Sequence, residues 1–67
     1  MYIIKIQGTN KIPDYVQIRD DRFTLIAYFK VSSPRRALEK CGLADKTESI
    51  LRIVGDLPYG KIQKLDL

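Results

Sequence analysis

Residues 22–31, RFTLIAYFKV, are the stretch that decides the fold. Every second side chain in this stretch is apolar, and no polar residue interrupts the series Phe23, Leu25, Ala27, Phe29 and Val31. A period of two places alternate side chains on opposite sides of an extended backbone. Because β-branched and aromatic residues also suit a pleated surface, we predict a central strand here whose apolar side forms the floor of the core.

A second strand is predicted directly before it, at Tyr15–Arg19, where Val16 and Ile18 alternate with polar residues. A two-residue turn at Asp20–Asp21 would join the two strands as an antiparallel hairpin. The predicted register pairs Arg19 with Arg22, Ile18 with Phe23, Gln17 with Thr24, Val16 with Leu25 and Tyr15 with Ile26. This register places the apolar sides of both strands on one face. A longer loop stays open as an alternative, because Asp-Asp is a weaker turn signal than Asn-Gly.

The N-terminal segment, residues 2–7, is predicted to be a strand of the same sheet. Its alternation places three apolar side chains on one side of the strand and Ile3 and Lys5 on the other. The apolar set is Tyr2, Ile4 and Ile6. If this set points inward, Ile3 and Lys5 join the opposite face of the sheet.

Two helices are predicted after residue 31. Ser33 is the expected N-cap of the first, with Pro34 at its first helical position. Gly42 suits the left-handed residue that ends such a helix. Asp45 and Glu48 resemble a capping box at the start of the second helix. The apolar stripe of that helix comprises Ile50, Ile53, Val54 and Leu57.

A last strand is predicted at Lys61–Leu67, at a sheet edge, because its apolar residues do not alternate cleanly. The element order is therefore β-β-β-α-α-β. We predict one small α+β domain over residues 1–67, with a three- to four-stranded, mostly antiparallel sheet and two short helices on one face. The order of the strands stays open, and the second face has no helix to cover it.

The composition offers little for catalysis. The chain has no histidine and one cysteine, so it lacks the commonest general base, an intramolecular disulfide and a four-ligand zinc site. Asp20 and Asp21 fit turn chemistry, and Cys41 fits a helix side that packs into the core. No glycine loop of the phosphate-binding kind is present. We therefore expect a non-catalytic protein without a cofactor or a metal ion.

Charge and the N-terminus bear on partners and location. The net charge of +4 favours anionic partners, although such a charge also serves solubility alone. The segment MYIIKIQG has too short an apolar run for a signal peptide or a membrane span. We therefore expect a cytoplasmic protein with no membrane partner and no small-molecule substrate.

The uncovered sheet face is the predicted binding surface, formed by Tyr15, Arg19, Arg22, Ile26, Tyr28 and Lys30. Tyrosine, arginine and exposed isoleucine are typical of protein interfaces, so the first hypothesis is a protein partner or a homodimer. The alternative is nucleic acid, with bases on the rings and phosphates on further cations. Those further cations are Lys5, Arg35, Arg36 and Lys40. A third interpretation is an ordinary solvated sheet face.

Overall fold

A computed structural model describes residues 1–65 and confirms the α+β class and the predicted element order. Its elements are β1 (Tyr2–Ile6), β2 (Tyr15–Arg19), β3 (Leu25–Lys30), α1 (Arg35–Lys40), α2 (Thr47–Asp56) and β4 (Ile62–Lys64). The four strands form one antiparallel sheet in the order β3-β2-β1-β4. The stretch predicted as the central strand is therefore an edge strand, and β1 and β2 occupy the centre.

The core lies between one face of the sheet and the two helices. Its buried side chains are Ile3, Val16, Ile18, Ala27, Phe29, Leu38, Ile50, Val54, Leu57 and Leu65. The helical stripe predicted for α2 is confirmed, since three of its four residues are buried and Ile53 packs partly against them.

β1 faces the opposite way from the expected orientation. Ile3 is 1% exposed and lies opposite Ile18 of β2, so it points into the core. Tyr2, Ile4 and Ile6 consequently lie on the open face. The physical reason is Lys5, which shares the side of Ile3 and donates from Nζ to the carbonyl oxygen of Val54 at 3.0 Å. That carbonyl belongs to the last turn of α2, where it also accepts the N–H of Leu57 at 3.3 Å, and the C-terminal end of a helix attracts cations.

The hairpin of β2 and β3 forms, but its predicted register is wrong by four residues. Val16 lies opposite Phe29 and Ile18 opposite Ala27, with a bulge between Ile18 and Arg19. Because four is even, the inward and outward sides of these strands are kept. Phe23 and Leu25, however, lie beyond the core and are 46% and 44% exposed.

A five-residue turn, residues 20–24, in place of the predicted two-residue turn accounts for three residues of this shift, and the bulge accounts for the fourth. The Asp20 carboxylate accepts backbone N–H bonds from Arg22 and Thr24, both at 2.9 Å, and Phe23 adopts a left-handed φ of 65°. A carboxylate that captures two amides stabilises a wider turn than the two-residue turn that was predicted.

The helix ends agree with the sequence only in part. Gly42 has a φ of +80°, and the N–H of Leu43 bonds the carbonyl of Leu38 at 2.8 Å, which confirms the predicted C-terminal motif of α1. The N-cap of α1 is Pro34 rather than Ser33, and it makes no side-chain cap bond. The predicted capping box at α2 is also absent. Instead, a 3₁₀ turn at Ala44–Lys46 leads directly into the helix.

The end of α1 also places the cysteine. Cys41 is half-buried against the core, and its thiol lies 3.4 Å from the carbonyl oxygen of Leu38. It therefore packs as a small apolar side chain beside the helix, as predicted.

β4 is an edge strand that pairs with β1, with Ile62 opposite Ile4 and Lys64 opposite Tyr2. The last two residues of the predicted strand, Asp66 and Leu67, lie outside the described residues. Among the helices of residues 1–65, none has the length and apolar character needed to cross a membrane.

Candidate interaction surface

The face of the sheet turned away from α1 and α2 is uncovered in the described part of the chain. The register of the paired strands assigns to this open face the side chains of Tyr2, Ile4, Ile6, Tyr15, Gln17, Arg19, Leu25, Ile26, Tyr28, Lys30, Ile62 and Lys64. Two surfaces of different chemistry can be distinguished: an apolar one on β1 and β4 of this face, and a basic one beside β3, which residues of α1 also line.

The first part, here called the apolar half-face, consists of Tyr2, Ile4, Ile6 and Ile62. Ile4 and Ile62 are direct cross-strand partners, and Tyr2 and Ile6 flank Ile4 on β1. Ile62 is 53% exposed and Ile6 is 37% exposed. Contiguous exposed apolar side chains on a soluble domain commonly mark a contact site.

Arg19 and Phe23 close one end of this face. The Arg19 guanidinium donates to the carbonyl oxygen of Phe23 and to Gln17 Oε1, each at 3.0 Å, and lies 4.8 Å from the centre of the Phe23 ring. The Phe23 ring also meets Tyr2 edge-on at 5.9 Å between ring centres. Arg19 therefore holds the turn in place, which is a role that the sequence pattern did not indicate.

Two other predicted contact residues lie away from their expected positions. Arg22 lies in the turn rather than in a strand, with its backbone N–H on Asp20. Ile26 is 37% exposed beside the bulge, and its predicted partner Tyr15 pairs with Lys30 instead.

The second part is an open groove of about 450 Å³ beside β3 and α1, here called the basic groove. It is lined by Tyr15, Tyr28, Phe29, Lys30, Ser33, Arg36, Ala37 and Lys40. Five of these residues were predicted site residues from the two hypotheses, and the fold brings them together. The groove also includes Ser33, which was expected to cap the helix.

Two of the predicted cations, Lys5 and Arg35, do not line the basic groove. Arg35 begins α1 outside the lining of the groove. Lys5 lies on the helix side of the sheet, at Val54 and 4.8 Å from the centre of the Tyr59 ring. Its ammonium group is therefore engaged within the fold and is not presented on the open face.

Next to Lys5, a loop carboxylate and a tyrosine are joined across the chain. The Tyr59 hydroxyl donates to Asp14 Oδ2 at 2.6 Å, and the N–H of Gly8 donates to Asp14 Oδ1 at 2.7 Å. These two bonds, the Tyr59 bond foremost, lower the pKa of Asp14, and the same bond raises the pKa of Tyr59. The pair ties the β1–β2 loop to the segment after α2, so its role is structural.

The Asp20–Asp21 pair, the other acidic candidate, serves the turn and the N-terminus. Asp21 Oδ1 accepts from the N-terminal ammonium of Met1 at 2.8 Å, and this bond lowers the pKa of Asp21. Within residues 1–65, no three histidine, cysteine, aspartate or glutamate side chains are grouped as ligands for a metal ion.

Comparison with known proteins finds no matching family model, curated protein or solved structure. Sequence reasoning missed the apolar half-face, because Tyr2, Ile4 and Ile6 were assigned to the core. No signal in the strand itself would have corrected this, since it depends on where the end of α2 meets Lys5.

Proposed function

We propose that the protein is a non-catalytic interaction module that self-associates through the apolar half-face. The observation that supports this most directly is the outward orientation of β1. It leaves Tyr2, Ile4 and Ile6 beside Ile62 on a sheet face that neither helix of residues 1–65 covers. Two such faces can stack at a distance of about 10 Å, as the sheets of a β-sandwich do.

Charge favours a second copy on this part of the surface. Lys64 borders the apolar half-face on an edge strand, where a lysine can extend its ammonium group into solvent. Arg19, opposite Tyr2, is held by its bonds to Phe23 and Gln17, and Lys30 lies farther away on β3. A two-fold contact centred on Ile4 and Ile62 therefore stacks apolar side chains on apolar side chains and keeps the basic grooves apart.

Size gives a second reason. A chain of about 60 residues buries only about 60% of the surface that it exposes when unfolded, so its stability margin is small. Stacking the half-faces removes further apolar surface from water at about 25 cal/mol per Å². The patch is small by the standard of stable interfaces, so we expect a weak dimer with a dissociation constant on the order of 10–100 µM.

Analytical ultracentrifugation over about two decades of protein concentration tests the proposal. The wild-type protein should sediment faster as its concentration rises. Ile62→Asp places a charge at the centre of the contact, and we expect it to weaken association at least tenfold, by about 1.4 kcal/mol or more.

Ile12→Asp is the matched control. Ile12 is 55% exposed, close to the value for Ile62, but it lies in the β1–β2 loop outside the sheet. This variant should associate like the wild type. A wild-type protein that stays monomeric over the whole range, or equal losses in both variants, would show that the half-face does not mediate self-association.

A further inference from the structure

The basic groove has the dimensions and the position of a ligand site that is separate from the apolar half-face. It lies beside β3 and α1, whereas the half-face lies on β1 and β4 at the other side of the sheet. Its volume of about 450 Å³ is within the range of about 300–1,000 Å³ that is usual for ligand sites.

The charge of the groove selects an anion. Lys30, Arg36 and Lys40 contribute three positive charges, and none of the lining residues is acidic. Within residues 1–65, the one ion pair joins Met1 to Asp21, just beyond the end of β2. No carboxylate of these residues therefore lies within 4.0 Å of the three groove cations. Cations that have no carboxylate partner among residues 1–65 are suited to phosphate groups.

The aromatic rings of the groove favour a ligand that carries a planar group as well as negative charge. Tyr15 and Tyr28 are stacked, with 4.7 Å between ring centres and 13° between ring planes. Tyr15 covers one face of the Tyr28 ring, yet Tyr28 is 50% exposed. A tyrosine that is held parallel to a second ring and open to solvent is a stacking platform for a planar group, and such stacking tolerates any base.

We propose that the basic groove binds single-stranded nucleic acid, with a base stacked on Tyr28 and the adjacent phosphates held by Lys30, Arg36 and Lys40. Two features favour this ligand over others. An acidic peptide would use the cations but has no need of the ring, and a duplex keeps its bases stacked within itself. RNA and DNA strands share this chemistry, so either one meets both requirements.

Fluorescence anisotropy with labelled ten-nucleotide strands of oligo(U) and oligo(dT) tests the proposal, and the pair of probes distinguishes RNA from DNA. Three phosphate contacts on a single strand predict an affinity that falls about 20-fold when salt rises from about 50 to about 200 mM. A labelled duplex of the same length should bind more weakly than either strand, because its bases do not reach Tyr28.

Variants on the groove separate the charges from the ring. Arg36→Gln should weaken binding to both strands alike and make the salt dependence less steep. Lys11→Gln, at an exposed lysine in the β1–β2 loop, is the control for this variant and should change neither the affinity nor the salt dependence. Tyr28→Leu should weaken binding about tenfold, whereas Tyr28→Phe keeps a ring and should bind like the wild type.

Several results would overturn the assignment. Binding that is insensitive to salt would exclude the phosphate contacts, and equal losses in Tyr28→Leu and Tyr28→Phe would exclude stacking. If a glutamate-rich peptide of equal charge competes as well as oligo(U), the groove recognises charge alone. Ile62→Asp should leave the binding of nucleic-acid strands intact. Sedimentation tests self-association and anisotropy tests strand binding, so the two proposals can fail independently of each other.

Discussion

Among the four glycines, Gly8 is the one where the surrounding backbone leaves no room for a side chain. A Cβ atom at this position would overlap the carbonyl oxygen of Ile12 and the backbone of Pro13, which close the β1–β2 loop around it. We therefore expect Gly8→Ala to lower the free energy of unfolding by about 2–4 kcal/mol in urea denaturation.

Gly55 is the contrasting case, because an added Cβ atom there meets nothing within 4 Å and the residue lies in α2. Gly55→Ala should raise the free energy of unfolding by about 0.5 kcal/mol, through the lower entropy of the unfolded chain. A destabilised Gly55→Ala together with a neutral Gly8→Ala would contradict this account of the loop.

The Asp14–Tyr59 hydrogen bond makes stability depend on pH at both extremes. The folded pKa of Asp14 is lowered, so the stabilisation is present above the ordinary value of 3.8 and is lost as pH falls through the folded pKa. The folded pKa of Tyr59 is raised, so that stabilisation is present below 10.0 and is lost as pH rises through the folded pKa. The bond therefore supports the fold across the neutral range.

Tyr59→Phe removes the hydroxyl donor and should raise the pKa of Asp14 toward 3.8. An NMR titration of the Asp14 carboxyl carbon measures this change. Part of the lowering should remain, because the Gly8 amide still donates to the other oxygen. Tyr28→Phe is the control, and an Asp14 titration that is the same in all three proteins would be inconsistent with the bond.

At the scale of elements, the turn at residues 20–24 determines how β3 lies against β2. Because the Asp20 carboxylate accepts the amides of Arg22 and Thr24, the turn needs five residues and carries Phe23 outside the core. The alternation of the two strands predicted correctly that they pair and that Val16, Ile18, Ala27 and Phe29 point inward. It was wrong for Leu25, which lies opposite Arg19 and is 44% exposed. It did not determine the register, since every even shift preserves the same alternation.

Asp20→Ala should therefore lower the free energy of unfolding by about 1–2 kcal/mol and speed amide exchange at Thr24. Asp20→Asn keeps an acceptor oxygen and should lose less than half as much. Equal losses in the two variants, or an unchanged rate of exchange at Thr24, would show that the side chain does not hold the turn.

At the scale of the whole molecule, the domain carries two surfaces of different chemistry, one apolar and one basic. The apolar half-face lies on β1 and β4, and the basic groove lies on β3 and α1. A dimer formed on the first surface leaves both copies of the second open. Such a dimer would offer two grooves to one strand, which raises the effective concentration of the second site.

Local patterns account for most of what was predicted correctly. The alternation in β2 and β3 and the stripe of α2 depend on neighbours in sequence, so the strands, the helix and its buried residues follow from them. Gly42 ended α1 as expected for the same reason, because its left-handed φ of +80° is a property of one residue and its own turn. The α+β class follows from the order of these elements.

Long-range contacts decided the rest. The orientation of β1 depends on Lys5 reaching a carbonyl 49 residues away at Val54, and the strand order depends on β4 pairing with β1. Five of the predicted site residues, on β2, β3 and α1, line the basic groove. The apolar half-face was missed because the β1 side chains that form it were assigned to the core. A pattern of period two shows that a strand has two sides. Only the tertiary structure, which packs Ile3 into the core and places Lys5 Nζ at the Val54 carbonyl, decided which side of β1 meets solvent.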